Sequence, residues 1–392
     1  MKKYFFFAIC AMTVLLTACE QNAPTTSSNV ETDTASDITR VSAILHGKVH
    51  EPIFLYDFGM MVSDNKADLN AREGKMYKAK TWLDKGFAVK ISKLSPETKY
   101  YYCAWALLNN KQYEFGSIKE FTTLEVPEHD GIGMFSVGKG KIVTFSKGNL
   151  QYTQSTNTWS FADNQWDMIG TDNVTGGDVS SDQIGENKEG TALADKVDLF
   201  GWSTNSTYFG VSASLDQNDY SGSFVDWGTN QIGTDSPNTW RTLTYDEWNY
   251  LIYTRADAIE LSGVAQVNGV NGLILLPDAD AWTCPEDVTF TPGCHSSYGV
   301  DYYAAYQTFT ADQWSKLEAA GAVFLPASGY RNGQDVGGVQ YVGSYWSATE
   351  LYGDGAHCLG SYSSGPVYSG GAGMYYDYRD KGRSVRLVQD LP

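Results

Sequence analysis

The chain has 392 residues, which is more than one ordinary domain and enough for two sizeable hydrophobic cores. Its 46 Asp and Glu residues outnumber 28 Lys and Arg residues, and the resulting net charge of -18 disfavours nucleic acid and anionic lipid headgroups as partners. Aromatic residues make up 14% of the chain and glycine contributes 39 residues, a mixture typical of β-rich extracellular domains with many tight turns.

The N-terminal segment has the pattern of a secretory signal. Two lysines precede an apolar run from Tyr4 to Leu16, which is shorter than the roughly 20 residues that a transmembrane helix needs. The run ends in Leu-Thr-Ala-Cys at Cys19, which resembles the lipobox of bacterial lipoproteins. This resemblance implies a signal peptide over residues 1–18 and lipidation of Cys19; the alternative is an ordinary secretory signal with a chance cysteine. We expect an outer-membrane lipoprotein, held to the membrane by its lipid, at the surface of a Gram-negative bacterium.

Residues 19–37 are predicted to be a flexible tether, because polar residues dominate and no aromatic residue occurs. Residues 38–124 then show short alternating runs, which indicate the strands of a small β-sandwich. The turn from Leu94 to Tyr100 and the alternating strand after it resemble the fibronectin type III signature. The resemblance implies that Tyr100 is a corner tyrosine, with its ring in the core and its hydroxyl bonded to upstream backbone. We expect this domain to be a spacer without a ligand.

Residues 133–392 form the larger predicted domain. Its opening strand at 141–145 and its closing strand at 384–388 have the pattern of strand partners. Two helices are predicted between them, each introduced by a capping box, the first at Thr244 with a Glu three residues later and the second at Thr310 with a Gln three residues later. Apolar residues at three and four spacing give each helix one buried face.

Four blocks of this domain resemble, in order, the Fibrobacter succinogenes major paralogous domain. The blocks are Asn238 to Trp248, Phe324 to Arg331, Tyr345 to Glu350 and Ser384 to Val388. The resemblance implies a C-type-lectin-like fold, related in architecture to formylglycine-generating enzymes. The family's opening Cys-Pro and Gly-Trp-His are absent ahead of the first block, so no loop function is transferred. We therefore expect a mainly β protein, with an N-terminal sandwich and an α+β C-terminal domain with two helices and long loops.

Cysteine spacing gives one candidate disulfide. In an exported chain Cys284 and Cys294 are close enough to close a loop, with a typical gain of roughly 2–3 kcal/mol. The same spacing is compatible with two free thiols, because sequence does not fix connectivity. Cys103, in an aromatic run that indicates a core strand, is expected to be a buried thiol.

The chain lacks the common catalytic and metal-binding motifs. No nucleophile elbow, phosphate loop or zinc-protease motif occurs, and the close cysteine pair of formylglycine-generating enzymes is reduced to Cys358, so we predict no enzyme and assign no catalytic residue. The Glu-Pro-Asn and Gln-Pro-Asp motifs of calcium-dependent lectins are missing. Carboxylates near Pro237 and Pro277 and in the loop 172–189 are favoured as solvated turns, with Ca²⁺ binding as the alternative and no metal ligand assigned.

Sugar binding without a metal uses aromatic faces with a few polar side chains that fix orientation. The candidate ligand-binding residues are Trp202, Tyr208, Tyr330, Arg331, Tyr345 and Trp346. For Trp346 a core role is the favoured interpretation, since buried aromatics commonly dominate cores. Tyr330 and Arg331 are expected to be exposed, because they end a strand next to a Gly-rich loop.

The leading hypothesis is a surface-exposed lipoprotein whose lectin-like head binds glycan or extracellular protein, in adhesion or polysaccharide recognition. It rests on architecture and resemblance, which do not by themselves establish function. The alternative is a structural subunit of an appendage or envelope scaffold, which an exposed strand edge favours. The third hypothesis is an enzyme with an unrecognised site, which a deep pocket with convergent carboxylates favours.

Overall fold

A computed structural model of the chain describes residues 27, 29–50, 55–81, 86–108, 111–125, 131–175, 193–204, 208–279, 281–293, 307–362 and 371–392. The chain is mainly β, with several sheets, and divides into two compact units, Met1–Glu125 and Val126–Pro392. The predicted lipidation residue Cys19 and the predicted disulfide residue Cys294 lie outside the described residues. Across the described ranges, no helix is long and apolar enough to cross a bilayer.

The first unit is built from two facing sheets. Its strands are β1 (Val30–Thr32), β2 (Ser42–Val49), β3 (Leu55–Ser63), β4 (Lys75–Lys78), β5 (Gly86–Ser92), β6 (Lys99–Leu108), β7 (Tyr113–Phe115) and β8 (Lys119–Thr122). One sheet has the order β1-β2-β5 and the other β4-β3-β6-β7, with β8 also on β6. Leu45 and Val89 from the first sheet share a buried cluster with Met60 and Ala104 from the second, which makes the unit a β-sandwich.

The tether is shorter than the sequence predicts. Strand β1 pairs antiparallel with β2, and Val30 and Thr32 are buried in the first unit. The predicted end of the tether at residue 37 is therefore too late in the chain. A three-residue strand in a Ser/Thr-rich segment leaves no periodic signal in the sequence, and tertiary pairing decides its conformation.

The corner arrangement predicted at Tyr100 is confirmed. The Ser95 backbone N–H donates to the Tyr100 hydroxyl at 2.9 Å, and the Tyr100 ring stacks on Phe121 with centroids 5.6 Å apart. The structure also adds a short helix, α1 (Lys66–Ala71), whose N-cap Asn65 accepts from the Ala67 N–H.

The second unit contains the remaining strands. They are β9 (Ile132–Gly138), β10 (Lys141–Phe145), β11 (Leu150–Thr153), β12 (Thr158–Phe161), β13 (Lys196–Val197), β14 (Arg241–Thr242), β15 (Ser262–Val267), β16 (Val270–Leu275), β17 (Gln307–Phe309), β18 (Val323–Pro326), β19 (Tyr330–Asn332), β20 (Asp335–Gly337), β21 (Val342–Glu350), β22 (Gly355–Tyr362), β23 (Gly371–Tyr378), β24 (Lys381–Gly382) and β25 (Leu387–Leu391). The sheets have the orders β14-β25-β10-β9, β12-β11-β13, β17-β15-β16-β18, β20-β19-β24 and β21-β22-β23.

The opening and closing strands of this unit pair, as predicted. Strand β25 lies antiparallel to β10, with Val388 opposite Phe145 and Leu391 opposite Ile142. Hairpin β15–β16 turns at Asn268 and Gly269, which both have positive φ, the backbone that a tight two-residue hairpin turn requires.

Both predicted helices are present with their capping boxes. They are α2 (Tyr245–Asn249), which continues into a π-helical turn at Tyr250–Thr254, and α3 (Ala311–Ala319). Trp248 and Trp314 are fully buried, so each helix turns its apolar face inward as its spacing predicts.

Candidate functional site

A cleft of about 520 Å³ lies on the second unit. This volume falls within the range of small-molecule sites. One wall is the segment after β13 that carries Trp202 and Tyr208, and the other is the loop that carries Asn218 and Tyr220. The cleft is lined by Trp202, Thr204, Tyr208, Gly210, Val211, Ser212, Asn218, Asp219, Tyr220 and Ser221.

Two glycines allow the backbones beside the cleft to approach each other closely. Gly210 has φ +74°, and a Cβ there would lie 1.9 Å from the Gly201 carbonyl oxygen. A Cβ on Gly201 would in turn lie 2.4 Å from the Tyr220 ring. The Gly201 N–H donates to the Gly210 carbonyl at 2.9 Å, so the two backbones touch without side chains between them.

The loop that forms one wall is ordered by its own polar groups. Asp216 caps a 3-10 turn, Gln217–Tyr220, by accepting from the Asn218 N–H. The Tyr220 hydroxyl donates to the Ser214 carbonyl at 2.9 Å, and burial raises the pKa of this phenol. The turn therefore presents Asn218 and its neighbour in sequence to solvent while the Tyr220 ring packs inward.

Two tryptophans fix the other wall to the late strands. The Trp202 indole N–H donates to the Ser347 carbonyl at 2.9 Å, and the Trp346 indole N–H donates to the Phe200 carbonyl at 2.8 Å. The Arg379 guanidinium lies 4.5 Å from the Trp202 ring centroid, at cation–π distance. We name this reciprocal pair, Trp202 and Trp346, the tryptophan clasp.

The exposed groups of the cleft are those that carbohydrate recognition uses. Tyr208 is 61% exposed, and Asn218, Asp219 and Ser221, which also line the cleft, are exposed and each make one side-chain hydrogen bond within their own loop. An accessible aromatic face stacks on a pyranose ring, while amide, carboxylate and hydroxyl groups bond its hydroxyls. Trp202 is buried and forms the floor of the cleft.

The expected exposure of Arg331 is wrong. Its side chain is fully buried, with Nε donating to the Leu199 carbonyl at 3.2 Å and Nη1 to the Gly333 carbonyl at 2.8 Å. Burial lowers the pKa of this guanidinium to about 10. The neighbouring Tyr330 is half-buried, with the Arg383 guanidinium 4.8 Å from its ring centroid. The Leu199 carbonyl, which is distant in sequence, helps to stabilise the buried arginine, and local pattern does not reveal this contact.

Tyr345 and Trp346 are also in the core. The Tyr345 hydroxyl donates to the Pro326 carbonyl at 2.8 Å, and complete burial raises its pKa. Of the six candidate residues, the structure brings Trp202 and Tyr208 together at one cleft and places the other four away from its lining.

Sequence reasoning missed the polar residues of the cleft. Asn218 and Asp219 lie in the polar stretch 212–221, where Asp216 is a capping residue followed by a Tyr that packs inward. The capping residue Asp216 could have indicated these cleft residues, because a capped turn that ends in a buried aromatic residue holds its polar side chains in a fixed arrangement.

The carboxylates considered for calcium are engaged in other contacts. Asp235 accepts from the Trp240 indole N–H at 2.7 Å, and Asp278 pairs with Arg255 at 3.2 Å. In the part of the chain that is described, no group of three His, Cys, Asp or Glu residues is placed to hold a metal ion. Asp280 and most of the loop 172–189 lie outside it, so calcium binding stays a prediction.

The cysteines show two environments. Cys103 and Cys358 are buried, and burial raises the pKa of the Cys103 thiol to about 11. Cys284 is half-buried, with its thiol donating to the Val288 carbonyl at 3.2 Å. Because Cys294 is not among the described residues, the disulfide between them stays a prediction.

Comparison with known proteins gives partial likenesses. No family model matches the chain, and no curated protein matches it. It is similar to the sensor domain of the anti-sigma factor RsgI4 from Pseudobacteroides cellulosolvens, with 20% identity over 25% of this chain and 94% of that one, and a TM-score of 0.19. It is also similar to a fibronectin type III domain of the human KIAA0970 protein, with 20% identity over 26% of this chain and 79% of that one, and a TM-score of 0.20.

Proposed function

We propose that the chain is a surface-exposed lipoprotein whose second unit, a C-type-lectin-like head, binds glycan in the Tyr208 cleft. The observation that carries the proposal is the exposed Tyr208 ring beside amide, carboxylate and hydroxyl groups in a cleft of about 520 Å³. The lipobox at Cys19 supports membrane attachment, and the first unit acts as a fibronectin-like spacer.

A glycan array probed with the full-length protein tests the binding. Tyr208→Ala is expected to weaken the strongest interaction about tenfold, since aromatic stacking on a sugar contributes about 1 kcal/mol or more. Tyr352→Ala is the matched control, because Tyr352 is fully exposed and does not line the cleft. The proposal would be contradicted if the folded protein bound no glycan selectively. Equal losses of glycan affinity in Tyr208→Ala and Tyr352→Ala would also contradict it.

Protease shaving of intact cells tests the location. Cleavage of the second unit before outer-membrane permeabilisation is the expected result. Protection until permeabilisation would place the protein in the periplasm and end the adhesion hypothesis. Cys19→Ala, compared with the parent in membrane and soluble fractions, tests the lipid anchor separately: the variant is expected to leave the membrane fraction.

A second candidate function is a structural subunit. Strand β23 is the end strand of its described sheet, and it carries Tyr376 at 69% and Tyr378 at 60% exposure. An exposed strand edge with aromatic residues is suited to contact with a neighbouring subunit. Assembly of the purified chain into oligomers that Tyr376→Lys disrupts would favour this function over glycan binding.

A further inference from the structure

A second cleft, of about 400 Å³, lies on the sheet β12-β11-β13 of the same unit. It shares no lining residue with the Tyr208 cleft. Its walls include two lysines, Lys147 and Lys196, in a chain whose net charge is -18. Two carboxylates, Asp163 and Asp235, also line the cleft, so its four charged side chains balance in a chain that is otherwise strongly acidic.

A mostly buried glutamine side chain without a protein hydrogen-bond partner among the described residues lines this cleft. Gln151 is 5% exposed and lines the cleft, yet its side chain makes no hydrogen bond to any described residue. Such a group is retained where a ligand or water completes its bonding, and the amide offers both a donor and an acceptor.

The lysines are available to an anion. Among described residues Lys196 has no carboxylate within ion-pair distance, and it is exposed at the cleft. Lys147 has a weak pairing at 3.9 Å with Asp163, whose side chain is 93% exposed. The other lining carboxylate, Asp235, is engaged by the Trp240 indole N–H at 2.7 Å.

We propose that this second cleft, which we name the Gln151 cleft, binds an acidic sugar such as a hexuronic acid residue. The ligand carboxylate lies between the two lysine ammonium groups, and its hydroxyls bond the Gln151 amide and the Ser160 and Thr234 hydroxyls that also line the cleft. A ligand with both a negative charge and several hydroxyls satisfies this set of donors and acceptors. A neutral sugar leaves the lysines unused, and a simple anion leaves the amide unused.

Calorimetric titration of the full-length protein with D-glucuronate, D-glucose and acetate tests the proposal. Glucuronate is expected to bind at least about tenfold more tightly than either of the others, because each loses bonds to charged or buried groups. Its affinity is expected to fall as salt is raised. Equal binding of glucose, equal binding of acetate, or no binding of glucuronate would overturn the proposal.

Two variants locate the binding in the cleft. Gln151→Leu and Lys196→Gln are each expected to lower glucuronate affinity at least about tenfold. Gln151→Leu is expected to leave the melting temperature nearly unchanged, because the amide bonds no described residue. Lys139→Gln, at an exposed position outside the cleft, is the control and is expected to have no effect. Unchanged affinity in both cleft variants would refute the assignment. Tyr208→Ala is expected to leave glucuronate binding unchanged. The proposal for the Gln151 cleft and the proposal for the Tyr208 cleft are therefore tested independently.

Discussion

Gly210→Ala is expected to destabilise the second unit and deform the Tyr208 cleft. An alanine at φ +74° incurs about 1 kcal/mol of backbone strain. Its Cβ would lie 1.9 Å from the Gly201 carbonyl oxygen, where ordinary contacts need about 3.5 Å or more, so one backbone must move. That movement breaks the 2.9 Å hydrogen bond from the Gly201 N–H to the Gly210 carbonyl, worth about 1 kcal/mol, and loosens the packing around it. If the shifted backbone and loosened packing cost about 1 kcal/mol more, the three contributions total roughly 3 kcal/mol.

Gly140→Ala is the matched control for this substitution. Gly140 has φ +70°, and a Cβ there would meet no atom within 4 Å, so alanine incurs the backbone strain of about 1 kcal/mol alone. Gly140 lies in the turn between β9 and β10, in the same unit as Gly210. The difference between the two variants therefore measures the close approach at Gly201.

Urea unfolding followed by tryptophan fluorescence measures both variants. Of the eleven tryptophans only Trp82 and Trp105 belong to the first unit, so the signal reports mainly on the second. With a slope of about 3 kcal/mol per molar urea, Gly210→Ala is expected to lower the midpoint by about 1 M and Gly140→Ala by less than about 0.5 M. Equal midpoints in the two variants would refute the idea that backbone contact at Gly201 fixes the cleft.

Two further predictions concern titrating groups. Burial raises the pKa of Asp198 to about 6, so the folded state holds this proton more tightly than the unfolded chain, and stability is expected to fall by about 3 kcal/mol as pH rises from about 4 to about 6. Urea midpoints are measured between pH 4 and pH 7 for the parent and for Asp198→Asn. The fall in midpoint that Asp198 causes is expected to disappear in the variant, and the same pH dependence in both proteins would contradict this prediction. Burial also raises the pKa of Cys103 and of Cys358, so both thiols are expected to resist a thiol reagent at pH 8 until urea unfolds the protein. Rapid labelling of either residue in the native protein, located by mass spectrometry, would show that its burial is not maintained.

Features encoded over a few residues could be predicted from the sequence. The capping boxes at Thr244 and Thr310 need a hydroxyl and a carboxylate or amide three residues apart, and both helices begin where that spacing occurs. The corner at Tyr100 is local in the same way. The pairing of β10 with β25 is also predictable, because both ends of the domain carry alternating apolar patterns.

Features that depend on distant groups could not be predicted. Arg331 looks like a surface residue in sequence, and its burial is stabilised by the Leu199 carbonyl, which belongs to a different part of the chain. Gln151 looks like a solvent-facing residue of an alternating strand, and it is the surrounding walls that bury it. The Tyr208 cleft has the same origin, since two glycines far from any periodic pattern bring its walls together.

The tryptophan clasp has a consequence for the order in which the molecule acquires structure. Each of its bonds joins residues about 145 positions apart, Trp202 to Ser347 and Phe200 to Trp346. Contacts of such separation must close a long stretch of chain before they contribute any free energy, so they form late and slowly. During synthesis the segment that carries Trp202 emerges well before the residues that secure it. A nascent or truncated chain that stops before residue 346 therefore contains every residue that lines the Tyr208 cleft and still lacks the clasp that fixes its floor.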